Sequence, residues 1–152
     1  MTEKREIAKA ADMQTRVGRY LLERWSEHLK PIRHRVIEAG LVGKSFTETS
    51  PDMPGGLINY SFAEDGTLVF DFKSREATGQ SIIHYVDFET GWRALADENY
   101  EYMKAFEEGK FWVEPSPEDA LRMEPLMPDM ARAFAKAMED TENEFNIQLP
   151  RY

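Results

Sequence analysis

His84 is the residue whose type and position could most readily support catalysis. It lies in a segment with the alternating pattern of a β-strand, and Asp71 and Asp87 are the carboxylates that could orient it. A histidine ring fixed by a carboxylate can act as a general base on an apolar substrate. A histidine on a sheet surface is the more frequent arrangement, so a small cone-shaped or sandwich enzyme remains the secondary hypothesis.

The sequence offers few other groups for catalysis or metal binding. His28 and His34 are six residues apart, whereas metal ligands on one helix face are three or four apart. The chain has no cysteine, which excludes a thiolate nucleophile, a disulfide and a sulfur-rich metal site. It also has no nucleophile elbow, phosphate loop or dinucleotide fingerprint. We therefore expect no cofactor and no bound metal.

The charge of the chain limits its partners. The 152 residues include 28 Asp and Glu against 19 Lys and Arg, a formal net charge of -9. Such a charge repels nucleic acid and anionic bilayers. Only the short basic run of Lys30, Arg33 and Arg35 could touch a membrane, and then transiently.

Length and hydropathy indicate one soluble domain over residues 1–152. A hydrophobic fraction of 41% suffices for a core, and no apolar run is long enough to span a membrane. The first ten residues are charged and show no secretory signal, so we expect a cytoplasmic protein.

The N-terminal part of the chain has the periodicity of an amphipathic helix. Apolar residues recur at spacings near three and four: Ile7, Ala11, Val17, Leu21, Trp25 and Leu29. This predicts helix over Thr2–Ala39, broken near Leu29 because Pro31 lacks an amide proton, and ended by Gly40. Tyr20, Leu21 and Trp25 could alternatively bind a partner or a second copy in a homodimer. We favour packing on the chain's own core.

Three strands are predicted after this region. Residues 41–56 read as a connection that includes a short edge strand near Phe46. Leu57–Ala63 and Thr67–Lys73 alternate in polarity around Glu64-Asp65-Gly66, which is a hairpin signature. Gln80–Val86 forms the third strand. Antiparallel pairing is therefore expected for the first two of them.

From Asp87 onward, the sequence predicts four helices and one strand. Asp87 is placed to cap a helix that contains Phe88, Trp92 and Leu95. A second helix is expected over Asn99–Glu108 and a strand over Lys110–Glu114. Two more helices are expected, one starting at Ser116 and the other running from about Pro128 toward Asn146. The element order indicates an α+β fold.

Residues 56–126, about half of the chain, resemble the sterol carrier protein 2 family segment by segment. Gly56-Leu-Ile-Asn-Tyr-Ser-Phe-Ala-Glu-Asp-Gly66 is similar to the first strand and acidic turn of that family, and Thr67-Leu-Val-Phe-Asp-Phe-Lys73 to its second strand. Glu108-Gly-Lys-Phe-Trp-Val113 and Ala120-Leu-Arg-Met-Glu-Pro-Leu126 extend the resemblance. It departs from the family at Pro115 and Ser116, and residues 1–55 exceed the expected single short helix. Residues 127–152 would form the C-terminal helix.

The resemblance implies a mostly antiparallel sheet of about five strands, covered by helices that enclose an apolar tunnel. It also implies binding or transfer of a fatty acid, fatty acyl-CoA or sterol-like molecule without catalysis. The residues that could line this tunnel are aromatic or methionine: Phe62, Phe70, Phe72, Phe88, Trp92, Met103, Phe106, Met127, Met130, Phe134 and Met138. Plain core packing is the alternative for each of them. The eight methionines favour an adaptable cavity.

Overall fold

The computed structural model describes residues 9–149. Its helices are α1 (Arg16–Leu29), α2 (Arg33–Glu38), α3 (Phe88–Ala96), α4 (Tyr102–Glu107), α5 (Glu118–Leu121) and α6 (Met127–Phe145), with 3₁₀ turns at Lys30–Ile32 and Glu124–Leu126. Its strands are β1 (Ser45–Thr49), β2 (Leu57–Phe62), β3 (Leu68–Phe70), β4 (Ser81–Tyr85) and β5 (Phe111–Glu114). Among these residues, no helix is both long and apolar enough to cross a lipid bilayer.

The five strands form one mixed sheet in the order β3-β2-β1-β4-β5. The β1–β4 pair is parallel and the other three pairs are antiparallel. The expected α+β fold with a mostly antiparallel sheet is confirmed. The edge strand predicted near Phe46 is wrong in its position, because β1 is the central strand. The hairpin could be predicted because a short turn joins its two strands. The position of β1 could not, because β1 pairs with β4 across a connection of more than thirty residues.

The predicted hairpin is confirmed as the β2–β3 pair, with Phe62 opposite Leu68. Its second strand is shorter than expected because the chain leaves the sheet after Phe70. The carboxylate of Asp71 accepts a hydrogen bond from the backbone N–H of Lys73 at 2.9 Å and turns the chain away.

The N-terminal helical prediction is confirmed in part. The break at Leu29 and the 3₁₀ turn that contains Pro31 are present. However, the helix is also interrupted before α1, where Thr15 caps the helix by accepting a hydrogen bond from the backbone N–H of Gly18 at 3.0 Å. The sequence reasoning missed this cap, and the prediction for residues 1–8 lies outside the described residues.

Helices α1, α3 and α6 cover the inner face of the sheet. Trp25 of α1 packs edge to face on Phe134 of α6, and Trp92 of α3 does the same from the other side. Leu21 and Trp25 are buried in this layer, so the apolar face of α1 packs on the chain's own core. Asp87 caps α3 as predicted, because its carboxylate accepts a hydrogen bond from the backbone N–H of Thr90.

Candidate functional site

The first cavity lies between the sheet and helices α1, α3 and α6. The gaps between its side chains add up to about 470 Å³ with the mouth included, but they are narrow and admit only water-sized molecules. Its lining is mostly apolar and consists of Ala10, Ala11, Leu21, Leu22, Glu48, Thr49, Ser50, Met53, Ile58, Tyr85, Phe88, Gly91, Trp92, Leu95 and Phe134. A cavity of this character favours an apolar occupant and requires side chains to shift before a larger molecule enters.

A second cavity, also narrow, lies beside the first. The space between its side chains is about 440 Å³, again with the mouth included. Its lining consists of Trp25, Glu48, Tyr60, Ile83, Tyr85, Leu95, Tyr102, Phe111, Ala120, Leu121, Met123, Glu124, Met127 and Met130. Glu48, Tyr85 and Leu95 line both cavities. These three side chains therefore form the partition between two apolar spaces.

Glu48 is the polar centre of this partition. Because side chains alternate along a strand, Phe46 and Glu48 of β1 both point to the inner face of the sheet. The carboxyl group of Glu48 accepts hydrogen bonds from the hydroxyl of Tyr60 and from the hydroxyl of Tyr85, the latter at 2.8 Å. Both tyrosines belong to the strands that flank β1, so the sheet itself sets this geometry.

Burial dominates the electrostatics of the group. It raises the pKa of the Glu48 carboxyl, and the hydrogen bonds from Tyr60 and Tyr85 oppose that rise. Burial also raises the pKa of Tyr60, Tyr85 and Tyr102, to which the Glu48 charge adds. No Lys, Arg or His among residues 9–149 lines either cavity. A charge on Glu48 would therefore be unpaired, which favours the neutral form.

Trp92, which lines the first cavity, has a buried hydrogen-bond donor without a partner among residues 9–149. Its indole is 3% exposed, and its Nε1–H has no hydrogen-bond partner among the described residues. Trp25 is equally buried, but its Nε1–H donates to the backbone carbonyl of Met130 at 3.0 Å. Buried indole N–H groups usually have an acceptor. Within residues 9–149, Trp92 is therefore a lining residue of this site whose polar group lacks a hydrogen-bond partner.

No protein-family model matches the chain, and no curated protein does. Among solved structures, it is similar to a conserved hypothetical protein from Thermus thermophilus that is described as a possible sterol carrier protein. The TM-score is 0.56 at 13% sequence identity, over 77% of this chain and 85% of that one. The chain has a sterol carrier protein-like fold.

Two further solved structures are similar to the chain at lower TM-scores. Sterol carrier protein domain 2 of Helicoverpa armigera gives a TM-score of 0.48 at 15% identity, over 75% of this chain and 87% of that one. The ubiquinone synthesis protein UbiJ-SCP2 gives 0.42 at 10% identity, over 72% and 79%. The similarity to the Thermus protein spans more of the chain than the half in which the sequence resembles the family.

The sterol carrier protein-like fold brings five of the predicted site residues to the cavities. Phe88, Trp92 and Phe134 line the first cavity, and Met127 and Met130 line the second. The remaining predicted residues line neither: Phe62, Phe70, Phe72, Met103, Phe106 and Met138.

Those six residues belong to the core or the surface. Phe62 and Met138 are fully buried in the core, while Phe70 and Phe72 are partly buried and pack against each other with tilted rings near the sheet edge. Phe106 packs on Phe111 of β5. The structure does not place Met103 at a cavity, since its side chain is 43% exposed. Helix α4 is only six residues long and buries Ala105 instead.

The proposed catalytic pairing of His84 is wrong. Its Nε2 lies 2.9 Å from a carboxylate oxygen of Glu114, and its ring stacks on Trp112 on the outer face of the sheet. Asp71 and Asp87 form a turn and a helix cap instead. His84 lines neither cavity, because its position in β4 alternates with the inward residues Ile83 and Tyr85.

Sequence reasoning missed Glu48, Tyr60 and Tyr85 as a group. The available signal was a carboxylate two residues after Phe46, in a segment otherwise suited to a strand. Recognising it required β1 to be the central strand, since only then do Tyr60 and Tyr85 lie on the two neighbouring strands.

Proposed function

We propose that this protein binds an apolar, lipid-like molecule between its sheet and its helices, as a carrier rather than as a catalyst. The observation that carries the proposal is the first cavity, a mostly apolar space enclosed by α1, α3, α6 and the inner face of the sheet. The fold it shares with a protein described as a possible sterol carrier protein supports this assignment.

The energetics of the site are adequate for such a ligand. Burial of each methylene group contributes about 0.8 kcal/mol, so an alkyl chain needs no charged anchor to bind. Entry requires the narrow space to widen. Met53 and Phe88 are only partly buried and lie on two different segments of the lining, so they can move without disrupting the core.

A pair of matched substitutions tests this function. Leu22 lines the first cavity and Met138 lines neither cavity, although both are almost fully buried. Leu22→Phe and Met138→Phe each add volume to a packed site and should cost about 1–3 kcal/mol of folding free energy. We expect Leu22→Phe to weaken binding of the neutral dye Nile red at least about tenfold, and Met138→Phe to change it by less than about twofold.

Dye titration and urea unfolding on the same samples separate binding from stability. Mass spectrometry of an organic extract of the purified protein, against a mock purification, would give the ligand class. The proposal fails if the two variants lose dye binding equally and in proportion to their stability.

A further inference from the structure

The charges around the two cavities restrict the head group of a ligand. Among residues 9–149, the ionisable Asp, Glu, Lys, Arg or His residues that line the two cavities are Glu48 and Glu124, and both are acidic. A carboxylate or phosphate placed there would lose its hydration without gaining a cationic partner. It would also lie near the buried carboxyl group of Glu48.

One segment at the rim of the first cavity carries a carboxylate. Asp52 is exposed and accepts a hydrogen bond from the backbone N–H of Phe88 at 2.8 Å. Phe88 and Met53, the neighbour of Asp52 in the chain, both line the cavity. An anionic head group left beside Phe88 would therefore meet another carboxylate, which disfavours it there.

The lining offers one unused donor instead of a cation. The indole N–H of Trp92 has no partner in the described chain, and leaving it unpaired is unfavourable. A carbonyl or ether oxygen on an otherwise apolar molecule would accept its hydrogen bond. An alkane would leave it unpaired.

Building on the proposed function, we propose that the cavity selects neutral lipids that carry an acceptor oxygen, such as esters or ketones, over fatty acids and acyl-CoA. The oxygen accepts a hydrogen bond from the Trp92 indole, and the acidic surroundings exclude anions. Trp92 thus determines specificity, while the apolar lining supplies the affinity.

Three ligands of equal chain length test this on the unmodified protein by displacement of Nile red at pH 8. We expect methyl dodecanoate to bind at least about tenfold more tightly than the dodecanoate anion, and about fivefold to tenfold more tightly than dodecane. Equal or tighter binding of dodecanoate overturns the proposal. If none of the three displaces the dye, the proposed function itself fails.

Trp92→Phe and Trp25→Phe form the matched pair of variants. We expect Trp92→Phe to remove most of the preference for the ester over the alkane, because both ligands lose the same apolar contact with the indole and only the ester also loses the N–H donor. Trp25→Phe removes an N–H that already has an acceptor, Met130, so it should lower the melting temperature but keep the preference. Equal weakening of ester and alkane by Trp92→Phe contradicts the role of the N–H.

Discussion

Glu48 is the residue that plain core packing explains least well. It is 7% exposed, and its hydrogen-bond partners in the core are tyrosine hydroxyls rather than cations. Its burial carries a desolvation cost that an apolar side chain at this inward position would not carry. Buried ionisable groups of this kind are found more often at functional sites than elsewhere.

The buried carboxyl group of Glu48 makes the stability of the protein depend on pH. Its pKa is raised above the ordinary value of 4.5, so the folded protein holds this proton more tightly than the unfolded chain does. Stability from this group is therefore complete below about pH 4.5 and falls as pH rises toward the raised pKa, by up to about 1.4 kcal/mol per pH unit. Glu48→Gln should become progressively more stable relative to the wild type as the pH rises from about 4.5 toward the raised pKa of Glu48.

Urea unfolding at several pH values measures this difference. The titratable groups around Glu48 are Tyr60, Tyr85 and Tyr102, which stay protonated in this range, and Glu124 at the second cavity. Glu64→Gln, in the exposed β2–β3 turn, is the control for replacing a carboxyl group by an amide. A constant difference between Glu48→Gln and the wild type would show that Glu48 does not titrate in this window.

Among the elements, β1 and the segment after β3 decide how the sheet is covered. Residues 71–80 cross its outer face and bury Thr47 and Asn59. The side chain of Asn59 donates to the backbone carbonyl of Glu76 at 2.8 Å, and the backbone N–H of Gly79 donates to the hydroxyl of Thr47 at 2.9 Å. The central strand is therefore buried on both faces.

Gly79 makes this close crossing feasible, which gives a stability prediction. A Cβ atom at Gly79 would lie 2.4 Å from backbone atoms of Phe46 and Thr47, so Gly79→Ala must push the segment off β1. We expect a loss of about 3 kcal/mol or more in folding free energy. Gly43→Ala is the control, since a Cβ there meets no described atom within 4 Å and only the positive φ of 77° opposes it. It should cost about 1 kcal/mol.

Urea unfolding compares the two alanine variants. A Gly79→Ala protein as stable as Gly43→Ala would show that residues 71–80 are free to move away from the sheet. Circular dichroism would establish whether each variant retains its secondary structure before the unfolding free energies are compared.

The sequence predicted elements better than their arrangement. The hairpin, the Asp87 cap, the Pro31 break and the last helix each rest on local signals, which involve residues close in the chain. The central position of β1 depends on its pairing with β4, across more than thirty residues. Glu48 and its tyrosines come together only through that pairing, so the site could not be derived from local pattern.

For the whole molecule, the narrowness of the first cavity would make entry of the proposed ligand a conformational step. The loop that contains Met53 and the start of α3 at Phe88 both line the cavity, and the carboxylate of Asp52 joins them by accepting the Phe88 backbone N–H. Separation of these two segments would open the cavity while leaving the α1–α6 pairing and the sheet intact. Ligand exchange should then follow this opening rather than global unfolding.

Asp52→Ala tests this opening. The variant loses the same hydrogen bond in the free and the bound protein, so the dissociation constant should change by less than about twofold while both rate constants rise about fivefold. Stopped-flow measurement of Nile red binding and release gives the two rates. Asp97→Ala, at the other end of α3, removes an exposed acceptor of the Asn99 backbone N–H and should leave both rates unchanged. If Asp97→Ala accelerates exchange as much as Asp52→Ala does, general loosening of α3 controls entry, and the contact between Asp52 and Phe88 is not the gate.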